Sequence, residues 1–217
     1  MFIGHFALGF AAKRATPRLG LAWLFVAAQF ADLLWPILLA AGIEQVRIDP
    51  GNTAFTPLDF VSYPYSHSLL LLCVWGIGLG WLGRRTVNDR GVAPVVAALV
   101  VSHWILDFLT HRPDMPLYPG GPKLGLGLWN SVPATMVVEL ALYAIGVLVY
   151  ARSTRPRDRI GRWSFTGLVV FLPIAYVVNF AGPLPPSIAV IWVSAIAGAG
   201  VLLIWSWWTD RHREAVT

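Results

Sequence analysis

Charge is scarce in this chain. Asp, Glu, Lys and Arg make up only 12% of its 217 residues, against 57% hydrophobic residues and a mean hydropathy of +0.65. A soluble globular domain carries about a quarter charged residues, so that balance excludes one. A single cysteine, Cys73, rules out an intrachain disulfide and leaves the redox compartment unread. From 163 to 209 there is no Asp, Glu, His, Lys or Arg, and no histidine occurs between His111 and His212. The apolar residues 1–12 have no basic stretch before them, and Lys13, Arg14 and Arg18 follow, which is not the pattern of a cleavable signal peptide.

What the chain has instead is long apolar runs, several near the 18-residue length that reads as membrane-spanning. The expected fold is all-α: one polytopic membrane domain, a bundle of six spans at 19–42, 65–83, 91–110, 131–151, 163–182 and 186–208. Residues 1–12 would add a half-helix of about 18 Å, too short to cross a core of roughly 30 Å, that turns at Pro17. Residues 1–140 would bear the site and 141–217 would serve as scaffold, with Gly76-x-x-x-Gly80 and the Ala/Gly run at 195–200 permitting close packing.

The basic residues fall between the runs, which argues for orientation in a bilayer and against nucleic acid despite a net charge of +5. Assigning alternate loops to one side puts thirteen Lys or Arg residues together and leaves only Arg47, Arg112 and Lys123 opposite. By the positive-inside rule the larger group, with the C-terminus, faces the cytoplasm of a bacterial-type inner membrane. Trp205, Trp207 and Trp208 fit an interfacial belt on that side. The long loops 43–64 and 111–130 then face outward and can cover a site.

Ionisable residues inside the spans are confined to Asp32, His67, His103, Asp107 and Glu139, with His5 in the half-helix. Each costs on the order of 2.5–3.5 kcal/mol at bilayer depth, so meeting one another or a metal is the cheapest arrangement. At about 1.5 Å per residue, all five span residues fall roughly 18–25 Å from the inner side, in the outer half of the membrane, with His5 lower. His103 and Asp107 stand one turn apart on one helix face, and His111 continues the spacing.

Neutral imidazoles with carboxylates suit Zn²⁺ or, less selectively, Mn²⁺ and Fe²⁺. Three protein ligands and one open position would let a zinc ion activate water. His67, His103 and Asp107 are the first choices as ligands, with Asp32 or His5 next. Glu139 is the candidate general base or partner of a ligating histidine, and Asp32 a second carboxylate for catalysis. Arg112 and Lys123 would hold an anionic head group. A site in the outer leaflet points to a lipid-like amphiphile, and to hydrolysis of its phosphoester or another ester.

The order His5, Asp32, Ser66-His67-Ser68, then Ser102-His103-x-x-x-Asp107-x-x-Thr110 resembles the YdjM-like (LexA-regulated) inner-membrane proteins, a family of metal-dependent hydrolases. The resemblance covers roughly residues 1–140. It implies ligand roles for His5, Asp32, His67, His103 and Asp107, and a distant similarity to the all-helical zinc-dependent phospholipases C and single-strand nucleases. Two positions depart from the family. Gln29 and Asp32 stand where many relatives have Asp-x-Asp, and Tyr63-Pro64-Tyr65-Ser66-His67 replaces His-Arg-Gly-x-Thr-His. The resemblance therefore does not extend to a second metal.

Structural readings stand beside these. His111 precedes Arg112-Pro113, where the helix must end, and reads as a solvated or capping residue; Asp114 reads as loop surface. Ser66 reads as a helix cap in preference to a nucleophile. His5 and Glu139 are each balanced between site and helix packing. A transporter or proton-coupled permease would use the same buried groups, although no inverted repeat of the site is present. A scaffold would leave the charges unexplained, and a seven-span amidohydrolase of the ceramidase type would want a late His-x-x-x-His.

Overall fold

The computed structural model describes residues 1–216. In chain order it forms α1 (Ile3–Ala12), α2 (Leu21–Ala28), α3 (Phe30–Ala40), the antiparallel hairpin β1 (Gln45–Ile48) and β2 (Leu58–Ser62), and the single turn α4 (Pro64–His67). There follow α5 (Leu69–Val87), α6 (Val92–Thr110), the two-residue strands β3 (Met115–Pro116) and β4 (Lys123–Leu124), and a 3₁₀ turn at Leu128–Asn130. Helix α7 (Val132–Ser153), strand β5 (Thr154–Pro156), helices α8 (Arg159–Ala181) and α9 (Ile188–Arg211), and strand β6 (Arg213–Ala215) complete it. The expected all-α bundle is what forms, with short strand pairs only in the connections and in the segment after the last helix.

Local sequence sets the helix boundaries. Ser68, Ser131, Asp158 and Ser187 each accept the backbone N–H three residues on, and so cap α5, α7, α8 and α9. Asn88 ends α5 in the left-handed region at φ 49°, where a short polar side chain is tolerated. The Arg112-Pro113 step stops α6.

Among the described residues four helices, α6 to α9, are long and apolar enough to cross a membrane, and α2 with α3 makes a fifth if the pair is one span bent by 62°. That is fewer than six, because α5, which occupies the expected 65–83 span, is not among them. Its apolar part, Leu69–Leu82, is about 21 Å long before Gly83-Arg84-Arg85 interrupts it. The outward faces of α5 to α9 still carry exposed Ile77, Ile105, Ile145, Val178, Val201 and Ile204. So broad an apolar exterior is foreign to soluble monomers and suits a membrane protein.

Small residues bring the helices together. A Cβ at Gly80 would lie 2.6 Å from the Ala93 carbonyl oxygen and one at Gly76 3.0 Å from that of Ala97, so α5 and α6 pack backbone to backbone. In the same way α1 lies on α7, where a Cβ at Gly146 would overlap the Ala7 carbonyl. The run at 195–200 behaves differently: a Cβ at Gly198 or Gly200 would meet nothing within 4 Å.

The two ends are tied by different chemistry. At one, Asp210 accepts Lys13 Nζ (2.7 Å), the Leu21 N–H (3.1 Å) and the Tyr150 hydroxyl (2.9 Å), fixing the end of α1, the start of α2 and the end of α9. Strands β5 and β6 pair there, and buried Arg213 donates to Thr154 and the Gly161 carbonyl. At the other end both long loops fold over the bundle: Asp59 of β2 bonds Arg47 and Arg112, and Phe60 lies 6.2 Å from Trp129.

Because α1 has no room to move off α7, Gly146→Leu should lower unfolding stability by about 1–3 kcal/mol, the usual cost of overpacking. Gly200→Ala should not destabilise and should raise stability by up to about 1 kcal/mol, the helix-interior cost of glycine. Thermal unfolding in detergent checks both, and an unshifted melting temperature for Gly146→Leu would refute the packing.

Candidate metal centre

The bend between α2 and α3 creates the first half of the site. No proline or glycine stands at the break; Gln29 occupies it with φ −102° and ψ 11°. The Ala28 carbonyl, at the end of α2, accepts the His103 Nδ1–H (2.9 Å). An imidazole from α6 thus takes the place of a helix-ladder donor, and Asp32 enters in the first turn of α3.

The second half comes from α6, where His103 and Asp107 sit one turn apart and both are buried. Asp107 is the meeting point. Its Oδ2 lies 3.2 Å from His103 Nε2, 3.9 Å from His67 Nε2 and 4.0 Å from His111 Nε2. Its Oδ1 lies 3.1 Å from His5 Nε2 and bonds the Met1 amino group. Asp32 Oδ1 is 3.5 Å from His67 Nε2 and 3.8 Å from His103 Nε2. The rings of His5 and His103 stack at 3.7 Å. Asp32 is the open member, its side chain 38% exposed, while the histidines and Asp107 are buried.

Tautomers follow from the outer partners. The Ser66 hydroxyl donates to Glu44 Oε2 (2.6 Å) and accepts the His67 Nδ1–H (2.7 Å). Glu44 Oε1 accepts the N–H groups of Tyr65 and Ser66, so this carboxylate caps α4 and orients His67 together. With Nδ1 carrying the proton in His67 and His103, each Nε2 is left as a bare lone pair in the neutral ring. For His103 the consequence is sharp. Its Nε2 is buried without a hydrogen-bond partner, although two carboxylate oxygens lie 3.2 and 3.8 Å away. A lone pair facing anions is repelled by them, and either a proton on Nε2 or a cation among the three relieves it.

The donor set fits a divalent ion: His5, His103 and Asp107 form one group and Asp32, His67 and His103 another, each with ligand atoms within 4.8 Å. Buried His and Asp side chains of this protein could therefore hold a metal ion. Glu139, on α7, does something further: its Oε2 accepts the N–H groups of Phe2 (2.7 Å) and Gly4 (3.3 Å), capping α1, while its Oε1 has no partner.

Other groups lie where the sequence did not put them. His111 occupies the cap position of α6 but is buried, not solvated, and Asp114 is buried with it. The loop 111–130 and the β2 segment close over them; the His111 ring is 4.1 Å from Trp129 and 4.9 Å from Phe60. Tyr63 donates its hydroxyl to Asp114 Oδ1 (2.9 Å), and burial, with Asp114 beside it, pushes that phenol well above its usual range, so it stays a donor. Ser66 caps nothing; Ser68 is the cap. Arg112 is engaged with Asp59 and Asp114, and Lys123 with the Val61 carbonyl. Glu44 escaped notice because a loop carboxylate is normally solvated and no spacing marked it.

No protein-family model, curated protein or solved structure matches the chain.

Glu44→Ala would leave the N–H groups of Tyr65 and Ser66 and the Ser66 hydroxyl without their acceptor in a buried setting. Stability should fall by about 1–3 kcal/mol or more, the cost of stranding buried donors. A denaturation midpoint equal to wild type would contradict this geometry.

Proposed function

We propose that the protein is a membrane-embedded, metal-dependent hydrolase that cleaves a phosphoester or other ester of a lipid-like amphiphile. The observation that carries the reading is the unpartnered Nε2 of His103 between two carboxylates, its tautomer locked from behind by Ala28. A nitrogen so held is arranged to bind a cation, and outer partners of this kind are what orient metal-ligating histidines.

His67, His103, Asp107, Asp32 and His5 would hold the ion. When bound, a zinc-like ion supplies an acidified water and polarises an ester oxygen. Asp32, the exposed member, would meet substrate and take a proton from the attacking water. Glu139 Oε1 is free to hold a second proton, while Oε2 keeps α1 seated. Zn²⁺ suits this set best, with Mn²⁺ or Fe²⁺ as substitutes. The motif resemblance supports kinship with the YdjM-like family. The asymmetry of basic residues supports a bacterial-type inner membrane, a cytoplasmic C-terminus and a site in the outer half of the bilayer.

One observation favours a second reading. A helix pair broken beside buried charges, as α2 and α3 are, is a device of transporters. Gradient-driven uptake into proteoliposomes without turnover of any lipid would select it.

Purified in mild detergent, the wild type should carry at least one zinc-like ion per chain. His103→Ala and Asp107→Ala should lose it, with a fall of at least 10²-fold in chelator-sensitive lipid hydrolysis, read by mass spectrometry of a bacterial lipid extract. Wild-type protein that is metal-free, and that added Zn²⁺, Mn²⁺ or Fe²⁺ does not stabilise against heat, would sink the reading.

A further inference from the structure

We infer that His111 is a further metal ligand, with Asp114 and Tyr63 as its positioning residues. The inference rests on the metal centre proposed above and extends it to side chains that neither the motif resemblance nor the intramembrane pattern includes.

Burial is the first argument. His111, Asp114 and Tyr63 are all buried at the end of the bundle where the chain leaves a helix for a Pro- and Gly-rich loop. Polar side chains are brought inside only when their hydrogen bonds are met. Here they are met with a direction. Asp114 Oδ1 accepts from the Tyr63 hydroxyl (2.9 Å) and lies 2.9 Å from His111 Nδ1, while Asp114 Oδ2 faces Arg112 Nε at 3.4 Å. An ionised carboxylate only accepts, so His111 Nδ1 carries the hydrogen and the neutral ring turns a bare Nε2 the other way.

That nitrogen lies 4.0 Å from Asp107 Oδ2, the same oxygen that His103 Nε2 and His67 Nε2 approach at 3.2 and 3.9 Å. Two ligand atoms each about 2.1 Å from one ion can be no more than about 4.2 Å apart, and all three separations fall inside that reach. The same construction thus occurs three times. Nδ1 is tied to an acceptor, Ser66 for His67, the Ala28 carbonyl for His103 and Asp114 for His111, and Nε2 points at one carboxylate oxygen. A histidine serving only to cap α6 would need neither the tie nor the direction. The His103, Asp107, His111 spacing on successive turns carries the ligand row from the body of α6 to its end.

The test uses the full-length protein in detergent, with Co²⁺ as probe. Wild type should bind Co²⁺ and show the visible absorption of nitrogen and oxygen ligands. His111→Gln should weaken binding at least tenfold. Asp114→Asn should weaken it ten- to 100-fold, as loss of such partners does, and change the spectrum. His212→Ala, the histidine paired with Asp158 at the opposite end, should bind as wild type does. If His111→Gln does not fold, Asp114→Asn and Tyr63→Phe decide by the same spectrum. Wild-type affinity and spectrum in the folded His111 or Asp114 variant would overturn the inference and leave the metal centre standing. A wild type that takes up no Co²⁺ would overturn both.

Discussion

The organising constraint is a buried carboxylate with no lysine or arginine beside it. Asp107 sits inside α6, and the groups around it are imidazoles from α1, α4 and α6 and the Met1 amino group. In a low-dielectric interior such a charge is tolerated only with positive partners or with a proton. The Met1 ammonium is one positive partner; the neutral imidazoles, whose lone pairs face the carboxylate, add none. The remaining donors around Asp107 form a cluster that could hold a metal ion, and the surrounding fold keeps those donors together.

Each architectural feature serves that end. Closely packed α5 and α6, joined through Gly76 and Gly80, give His103 and Asp107 a rigid backing. The break at Gln29 frees a carbonyl to fix His103 and turns Asp32 inward. The short helix α4, capped by Glu44, delivers His67 with one tautomer. Helix α1, seated by Gly146 on one side and by Glu139 at its start, brings His5 into contact with His103. The loops are pinned to one another through Asp59 with Arg47 and Arg112 and through Lys123 on the Val61 carbonyl, so Arg112 and Lys123, the two residues that read as head-group ligands, are engaged in holding the cover in place.

Much of this was legible in the sequence, and for a physical reason. Apolar runs against scarce charge announce helices, and ionisable residues inside such runs stand out because their burial is costly; His67, His103, Asp107 and Asp32 were found that way. The span count agrees roughly, with α5 falling short of a full span by length and composition because Gly83-Arg84-Arg85 ends its apolar stretch early. The bend at Gln29 left no sign, since neither proline nor glycine marks it and the Ala28 carbonyl at the break is met by a tertiary bond from His103. Glu44, Asp114 and Tyr63 were invisible for the opposite reason, lying in loops where the default partner of a polar group is water. His111 carried a signal, the third step of a four-residue repeat, but the proline two residues later argued it out to solvent.

X-ray absorption at the metal edge of the purified wild-type protein tests the central claim most directly. The account predicts nitrogen or oxygen ligands at about 2.0–2.1 Å with the multiple scattering of at least two imidazoles, as expected for histidine-bound zinc. A bound metal whose spectrum lacks imidazole scattering would contradict it.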